Sequence, residues 1–551
     1  MRSYSPLQNL RLKYQPILPE LLERMNCLQL IPQANLETPL SIQEIFPETT
    51  GQPVVFFEPK NVQNFVSLNI GVVLSGGQAP GGHNVIAGLF DALKKMHSNS
   101  TLIGFSNGPS GILNNEWIEI TEDLLDCYRN QGGFDIIGSG RTKIETPEQF
   151  TAAAATVKSL KLNGLVIIGG DDSNTNAAFL AEHFKRQGTE VTIIGVPKTI
   201  DGDLKNKFIE TSFGFDTASK IYSEIIGNVQ KDAISSKKYY HFIKLMGRSA
   251  SNITLECALK TRPNLALIGE EIAEKKLSLK EVVALITDMV CQRAAAGRDY
   301  GVILIPEGLI EFISDIKEMI QDLNHLLPPS QPHAKKMDAL ATHDERLNYL
   351  ATYLTKSSMS SLLELPEGIQ KQLLLERDSH GNVQVSKIET ERLLIDLVEK
   401  ELLLLKQQGR YKGKFNPQPH FCGYEGRSAL PSNFDCNYCY ALGYAAALLL
   451  QNGKTGYMAC IKDLHTPVKE WKIVGIPITG MLNQDMREGK RKIVIKRALV
   501  DLKGVPFRKF CEMRTTIDVK EDDYLSPGPI QFEGPGEICN AITLTLYYES
   551  I

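Results

Sequence analysis

The sequence predicts an α/β fold whose parallel sheets are doubly wound and covered by helices on both faces. The first observation is a repeated pattern: a short apolar, β-branched run, a turn that contains glycine, and then helical periodicity. The pattern occurs at residues 68–77, 164–171, 191–197, 240–248 and 300–308. Continuous apolar strands of this kind are typical of sheets that are buried on both faces. The second observation is the length of 551 residues, which exceeds a single core and predicts two or more domains.

The composition excludes several classes of function. Hydrophobic residues make up 42% and charged residues 23% of the chain, as in globular proteins. The net charge of −4 provides no global field for binding nucleic acid or an anionic membrane. An anionic substrate must therefore be held by a local cluster of Lys, Arg and backbone N–H groups.

Three features predict a cytoplasmic protein. The N-terminal stretch has scattered charges and prolines in place of the continuous apolar region of a signal peptide. The longest apolar run, residues 441–450, is interrupted by Gly443 and Tyr444 and is too short to span a bilayer. The ten cysteines are spaced irregularly, which fits reduced thiols. Cys436 and Cys439 have the spacing of half a zinc site, but two ordinary thiols near a helix start fit better, because no second pair of ligands stands at a convincing distance.

Segments outside the repeated pattern have other predicted structures. Residues 1–67 indicate an extension of helix and loop. Residues 320–411 lack the strand pattern and indicate a helical insertion, with a capping box at 386–389 and a helix stop at Gly409. The apolar face of this helix is more typical of core or subunit contact than of a cofactor site. The basic stretch 487–497 is compatible with RNA binding, but a solvated strand edge fits the acidic chain better.

In parallel sheets of this kind, ligands bind beyond the carboxyl ends of the strands, so polar residues at those ends are candidates for chemistry. Residues 75–84, Ser-Gly-Gly-Gln-Ala-Pro-Gly-Gly-His-Asn, follow one strand and open a helix. Glycines there allow backbone N–H groups and the helix dipole to face a phosphate. The loop lacks the residues of a P-loop and the spacing of a dinucleotide fingerprint, and a turn that serves only geometry remains an alternative.

Two carboxylates end the next strand, at Asp171 and Asp172 in the sequence Gly-Gly-Asp-Asp-Ser. A carboxylate beside bare backbone suits Mg²⁺, which prefers one or two carboxylates together with phosphate oxygens. Two acids at a helix N-terminus can equally be partners of the helix dipole.

The third strand end, Pro-Lys-Thr-Ile-Asp-Gly-Asp at residues 197–203, has the residue types that phosphoryl transfer requires. Lys198 and Thr199 can neutralise charge and position a phosphate, and Asp201 can act as the base for an attacking hydroxyl. As an isolated turn the motif is ordinary, but it is the third polar strand end in series.

Three further motifs complete the set: Met246-Gly-Arg248, Pro306-Glu-Gly308 and the stretch 423–427, Gly-Tyr-Glu-Gly-Arg. Arginine can bind a phosphate through two N–H groups, and glutamate can accept sugar hydroxyls, although surface ion pairs are an alternative for each motif alone. Together and in this order, the motifs resemble the phosphofructokinases over residues 70–310 and 412–460. The helical insertion and the motif variants are similar to the long, pyrophosphate-dependent branch of that family, from bacteria and plants.

The resemblance implies two similar Rossmann-like domains with the active site in the cleft between them. It assigns Mg²⁺ to Asp171, the donor phosphate to Gly77 and the 1-hydroxyl proton of fructose 6-phosphate to Asp201. The implied domains are an extension at 1–67, a donor and Mg²⁺ domain at 68–205 with later segments returning to it, a sugar-phosphate domain at 206–319 and 412–480, the helical insertion at 320–411 and a C-terminal segment at 481–551. The implied sugar-phosphate residues are Thr199, Ile200, Asp201, Lys238, Tyr239, Met246, Gly247, Arg248, Glu307, Tyr424, Glu425, Gly426 and Arg427.

The resemblance also implies contacts between subunits of a homodimer. Lys238 and Tyr239 align with residues that reach the sugar phosphate across a subunit interface, and ATP-dependent members usually have arginine where Tyr239 stands. Arg141 aligns with a family arginine near the donor and is a secondary candidate.

Two positions favour pyrophosphate over ATP as the donor. ATP-dependent members resemble this chain but have glycine in place of Asp172, whose carboxylate would fill space near the α-phosphate and repel it. They usually have glycine in place of Lys198 as well, whose ammonium can stabilise a compact anion that has no nucleoside to anchor it. We therefore expect Asp172 and Lys198 to bind diphosphate together with Gly77, and to act in catalysis with Asp201. The predicted reaction is reversible phosphoryl transfer to fructose 6-phosphate, giving fructose 1,6-bisphosphate and phosphate.

Three alternatives remain at this point. The first is an ATP-dependent phosphofructokinase. The second is an NAD or lipid kinase, which has a similar Gly-Gly-Asp-Gly loop but does not account for the later motifs. The third is a regulatory subunit of the family without catalytic activity, against which the intact Asp171, Asp201, Arg248 and Arg427 argue. No nucleic acid or membrane partner is expected.

Overall fold

Two α/β sheets and a hairpin organise the chain in the computed structural model, which describes residues 4–60, 64–248, 250–328, 331–375, 383–487, 490–516, 518 and 520–551. The strands are β1 Leu28–Asn35, β2 Pro53–Pro59, β3 Asn69–Leu74, β4 Thr101–Phe105, β5 Trp117–Glu119, β6 Gly164–Gly169, β7 Thr192–Thr199, β8 Phe213–Gly214, β9 Tyr240–Leu245, β10 Leu265–Ala266, β11 Gly301–Pro306, β12 Pro417–Cys422, β13 Tyr457–Lys462, β14 Lys472–Pro477, β15 Leu482–Arg487 and β16 Lys490–Ile495. The helices are α1 Pro6–Lys13, α2 Glu20–Glu23, α3 Leu40–Ile45, α4 Gly82–Met96, α5 Pro109–Asn114, α6 Glu122–Asp126, α7 Pro147–Ser159, α8 Asp171–Arg186, α9 Phe215–Ser236, α10 Asn252–Thr261, α11 Gly269–Glu274, α12 Leu279–Ala295, α13 Ser314–Leu326, α14 Pro332–Ala339, α15 His343–Leu350, α16 Lys356–Glu364, α17 Glu367–Leu375, α18 Thr390–Gln407, α19 Tyr424–Arg427, α20 Asn433–Gln451, α21 Val505–Thr516, α22 Gly536–Cys539 and α23 Leu544–Glu549.

The first sheet has the strand order β1-β2-β14-β13-β7-β6-β3-β4-β5, with β8 beside β7. Its centre, β13-β7-β6-β3-β4, is parallel, and its outer strands pair antiparallel. Every residue of β6 is buried, as expected for a strand that helices cover on both faces. The carboxyl ends of β3, β6 and β7 therefore lie side by side at one edge of this sheet.

The second sheet has the order β10-β11-β9-β12 and is parallel throughout. Pro306 of β11 and Cys422 of β12 both pair with Leu245 of β9, so these three strands end in register. The predicted fold class is confirmed: the chain is α/β with two sheets built around parallel strands, and helices α13 to α18 form an insertion between β11 and β12.

The apolar run near residue 445 forms part of α20, a helix at the centre of the core. A Cβ on Gly88 of α4 would lie 2.1 Å from the carbonyl oxygen of Tyr440, and a Cβ on Gly443 would lie 2.4 Å from the backbone N of Leu89. Only glycine permits this approach of two helix backbones. Among the described residues, no helix is long and apolar enough to cross a membrane.

The N-terminal extension differs from its prediction. It contains β1 and β2 as well as helices, and β2 pairs with β14, so the extension completes the first sheet. Val54, Val55 and Phe57 of β2 are buried. The prediction of helix and loop was wrong because a short edge strand is recognisable mainly by a partner that lies far away in the sequence.

The predicted start of α18 was also wrong. Lys387 belongs to a 3₁₀ turn and α18 begins at Thr390, while the side chain of Ser386 lies outside the described residues. Glu389 bonds instead to Gln372: its backbone N–H donates to Oε1, at 3.0 Å, and its Oε2 accepts from Nε2, at 3.0 Å. The helix stop is confirmed by Gly409, whose φ of 72° lies in the left-handed region.

The predicted strand in the basic stretch is confirmed as the hairpin β15–β16, although the side chains of residues 486–491 lie outside the described set. Cys436 and Cys439 are buried free thiols on α20. Among the described residues, no group of three potential His, Cys, Asp or Glu ligands is placed to hold a metal ion.

Candidate active site

The carboxyl ends of β3 and β7, the two strands that flank β6 in the first sheet, bring a glycine loop and Lys198 together. A Cβ on Gly76, whose φ is 87°, would lie 3.3 Å from the Nζ of Lys198. The backbone N–H of Gly76 donates to the carbonyl of Gly140 at 2.8 Å, which fixes this loop on the segment that precedes Arg141. Bare backbone and an ammonium group therefore face the same space, as a site for a compact anion requires.

Lys198 is an unusual lysine because its side chain is only 7% exposed. Burial, and next the nearby Arg427, lower its pKa to about 8, while Asp201, Asp171 and Asp203 oppose that shift. Lys198 is thus close to both positive and negative groups, and an anion that binds beside it strengthens its protonated form.

Two carboxylates converge on Arg497, an arginine of the C-terminal segment. Its Nε lies 2.7 Å from Oδ2 of Asp171 and 3.8 Å from Oδ2 of Asp203. Burial raises the pKa of Asp203 to about 7; Asp201 and Asp171 add to the effect, and Arg497 opposes it. Carboxylate oxygens from the start of α8 and from the loop after β7 therefore flank a position that already accommodates positive charge.

Asp172, the neighbour of Asp171, has a separate partner. Its Oδ1 lies 3.3 Å from Nζ of Lys143, a residue of the loop that precedes α7. The two acids thus point to different cations. The dipole of α8 favours both, but their separate partners indicate separate roles.

Asp201 lies in the loop that follows β7, and one of its oxygens is available to accept a proton. Its Oδ1 is buried and accepts no hydrogen bond from the described residues. Its backbone N–H donates to Oγ1 of Thr199 at 3.0 Å, and the Nδ2 of Asn252 donates to the carbonyl of Gly202 at 3.2 Å. These bonds fix the loop and leave the carboxylate for chemistry. Ile200, the residue before Asp201, is buried.

The second sheet contributes Gly247 and Glu307 from adjacent strand ends. The backbone N–H of Gly247 donates to Oε2 of Glu307 at 3.0 Å, and Glu307 is 3% exposed. Burial raises the pKa of Glu307. Met246 is buried beside them and Arg248 is exposed.

The motif 423–427 brings the two sheets together. The hydroxyl of Tyr222 donates to the carbonyl of Gly423, and its ring packs on Gly426, where a Cβ would lie 2.6 Å from Cε1. This packing orients Arg427, whose Cζ lies 3.3 Å from the position of a Cβ on Gly77. An arginine that follows β12 of the second sheet thus lies over the glycine loop that follows β3 of the first sheet.

Some predicted residues lie apart from this cluster. Lys238 and Tyr239 precede β9, whereas Met246 follows it, and a six-residue strand separates such positions by about 20 Å. They therefore lie at the opposite end of β9 from this cluster. Tyr424 is 69% exposed, and Glu425 accepts the backbone N–H of Gly423 at 2.7 Å.

Sequence reasoning missed Arg497 as a site residue. It ends the basic stretch that was interpreted as a solvated strand edge, and no local pattern distinguishes it from the other cations there. Asp203 was recognised in its motif but was not assigned a role.

The fold and the site define an α/β protein in which Lys198 and Arg427 lie beside a glycine loop at the strand ends of the first sheet, an arrangement suited to a phosphate group. The family model for phosphofructokinase matches residues 69–341. The chain is 50% identical to the pyrophosphate–fructose 6-phosphate 1-phosphotransferase of Treponema pallidum (strain Nichols), over 99% of this chain and 97% of that protein. It is 51% identical to the subunit beta of the same enzyme from Ricinus communis, over 100% of this chain and 98% of that protein. The chain therefore belongs to the phosphofructokinase family.

Further similarities point to one branch of that family. The enzyme of Porphyromonas gingivalis, with the same name as that of Treponema, is 48% identical over 99% of both chains. A subunit alpha 1 from Arabidopsis thaliana is 41% identical over 98% of this chain and 89% of that protein. A solved pyrophosphate-dependent phosphofructokinase from Nitrosospira multiformis has the same fold, with a TM-score of 0.54 and 16% identity over 86% of this chain and 96% of that chain. The long, pyrophosphate-dependent branch is thus the one to which this chain is similar.

Proposed function

We propose that this chain catalyses reversible phosphoryl transfer from pyrophosphate to the 1-hydroxyl of fructose 6-phosphate, giving fructose 1,6-bisphosphate and phosphate. The observation that carries the proposal is the position of Lys198 beside Gly76, with Arg427 close to Gly77. Two cations and bare backbone suit a small, highly charged donor. Relatives that carry this activity in their names match nearly the whole chain at about half identity.

Residues at the strand ends of the first sheet bind the phosphoryl donor. Gly77, Lys198 and Asp172 bind the diphosphate, and Lys198 stabilises the charge that develops on it. The carboxylate of Asp172, with Lys143 beside it, occupies space where ATP-dependent members of the family carry glycine. A nucleoside triphosphate would bring its α-phosphate toward that carboxylate and be repelled.

The residues present fit a divalent cation, which we propose to be Mg²⁺. The Asp171 and Asp203 carboxylates converge on one cationic group, Arg497, so the position favours positive charge. Mg²⁺ needs only one or two carboxylates when phosphate and water supply its other ligands. When bound, the cation neutralises phosphate charge.

The loop after β7 and the strand ends of the second sheet bind the acceptor, fructose 6-phosphate. Asp201 accepts the proton of the 1-hydroxyl on Oδ1, which has no hydrogen-bond partner in the part of the chain that the structure describes. Thr199 and Ile200, with the strand ends at 246–248 and 424–427 and Glu307, hold the sugar phosphate. Arg248 and Arg427 can each bind a phosphate through two N–H groups.

A second copy of the chain completes the proposed site. Lys238 and Tyr239 lie at the far end of β9 from their own cleft, so they can serve only a neighbouring one, which a homodimer provides. We further propose a cytoplasmic location, which the ten free cysteines support. The test of the activity is a comparison of pyrophosphate and ATP as donors in one preparation.

A further inference from the structure

The segment that follows β16 lies directly on the loop that carries the proposed base. The backbone N–H of Ala498 donates to the carbonyl of Asp203 at 2.7 Å. The amide of Asn252 donates to the carbonyls of Gly202, at 3.2 Å, and Ala498, at 3.4 Å. Two residues on, the N–H of Val500 donates to a carboxylate oxygen of the buried Glu270 at 3.0 Å. The C-terminal segment is therefore held against the active-site loop by the bonds of Ala498, and the bond of Val500 to Glu270 anchors it two residues further on.

Arg497 extends from this segment into the donor site. Its side chain is 21% exposed, and it contacts Asp171 at 2.7 Å and approaches Asp203 at 3.8 Å. These acids come from different strand ends, so one guanidinium bridges two parts of the first sheet. A divalent cation held by the same carboxylates would also place positive charge there, and the two cations could not both lie at the closest position.

We propose that Arg497 is a donor-binding residue that exchanges with the divalent cation. In the protein without donor it holds Asp171 and Asp203 together; when metal diphosphate binds, the guanidinium turns from the carboxylates to the diphosphate oxygens. Arginine suits both states because its planar fork matches carboxylate and phosphate alike. The inference rests on the proposed function, in which Asp171 holds the cation.

Mn²⁺ titration monitored by electron paramagnetic resonance tests the exchange without any turnover. Arg497→Met keeps the length of the side chain and removes its charge. Without pyrophosphate, this variant is expected to bind Mn²⁺ about tenfold more tightly than wild type. An adjacent cation shifts the pKa of a carboxylate by roughly one unit or more, and one unit corresponds to a tenfold change in an equilibrium constant. Lys496→Met is the matched control, because it removes the charge of the adjacent, exposed lysine, and its affinity is expected to equal that of wild type. Equal affinity in wild type and Arg497→Met overturns the exchange.

The donor half of the proposal has its own readout. With pyrophosphate present, Arg497→Met is expected to raise the KM for pyrophosphate by about tenfold through the loss of a charge-assisted contact, with the KM for fructose 6-phosphate unchanged. An unchanged KM for pyrophosphate overturns the contact with the donor. If Arg497→Met does not fold, Arg497→Gln replaces it, because glutamine keeps a polar side chain but removes the charge; tighter Mn²⁺ binding than wild type is expected, and equal affinity overturns the proposal.

An Asp171→Asn variant distinguishes a failure of this inference from a failure of the proposed function on which it rests. If Asp171→Asn binds Mn²⁺ as tightly as wild type does, the assignment of the cation to Asp171 is wrong, and the proposed exchange is wrong as well. If Asp171→Asn loses Mn²⁺ while Arg497→Met behaves as wild type, the metal site stands and only the role of Arg497 is wrong.

Discussion

The guanidinium carbon of Arg427 lies 3.3 Å from the point that a Cβ on Gly77 would occupy. Gly77 follows β3 of the first sheet and Arg427 follows β12 of the second, so this approach brings the ends of the two sheets together. Glycine at this position lets the arginine approach the backbone that is proposed to bind the donor.

Gly77→Ala is expected to displace Arg427 and lower kcat/KM for pyrophosphate by about 10-fold or more, because a small misplacement in a phosphoryl-transfer site can cost 10²-fold. Stability should change little, since the displaced atoms are the end of a flexible side chain. The control is Gly368→Ala, where a Cβ meets no atom within 4 Å. Steady-state kinetics on both variants check the prediction, and equal kcat/KM in the two would show that the close approach has no role.

Asp201→Asn is expected to lower kcat by at least about 10², because the amide cannot accept the proton of the sugar hydroxyl. The buried Oδ1 has no partner among the described residues, so the change leaves the known hydrogen bonds of the loop intact. Binding of fructose 6-phosphate, measured by calorimetry, should persist. Turnover near that of wild type would remove Asp201 from the mechanism.

The pH dependence of kcat/KM for pyrophosphate should report the loss of the positive charge on Lys198. Its pKa is lowered to about 8, first by burial, so it stays charged below that pH and loses its charge as the pH rises through it. We therefore expect kcat/KM for pyrophosphate, which reports the free enzyme, to fall as the pH rises through about 8. The profile should be measured with pyrophosphate well below its KM. A flat profile from pH 7 to 9.5, a range that spans about a unit or more on each side of the shifted pKa, would contradict this role.

The double variant Asp172→Gly with Lys198→Gly should use pyrophosphate poorly. It loses the ammonium beside Gly76 and removes the carboxylate that bonds to Lys143. We expect kcat/KM for pyrophosphate to fall by about 10² or more, as for the loss of a transition-state charge partner, and ATP to become a better donor relative to pyrophosphate. Full pyrophosphate activity in the double variant would defeat the donor assignment.

Part of the site was predictable because parallel strands end at a common edge. Asp171, Lys198 and Glu307 each follow an apolar run, and the structure places them at the ends of such strands. The strand order that makes β3, β6 and β7 neighbours was not needed for that inference.

Other features depend on contacts that no local pattern encodes. Arg497 meets Asp171 across 326 positions of the chain, and β2 pairs with β14, which lies more than 400 residues later. The separation of Lys238 from Met246 follows only from the geometry of β9. Chain topology, which sequence periodicity leaves open, decides each of these.

The most direct test of the account compares donors on the wild-type enzyme. Rates with fructose 6-phosphate and Mg²⁺ are measured with pyrophosphate and with ATP in the same preparation. The account predicts turnover with pyrophosphate and little or none with ATP, because Lys198 stabilises the compact donor while Asp172 repels the α-phosphate. Turnover with ATP that equals or exceeds turnover with pyrophosphate would contradict it.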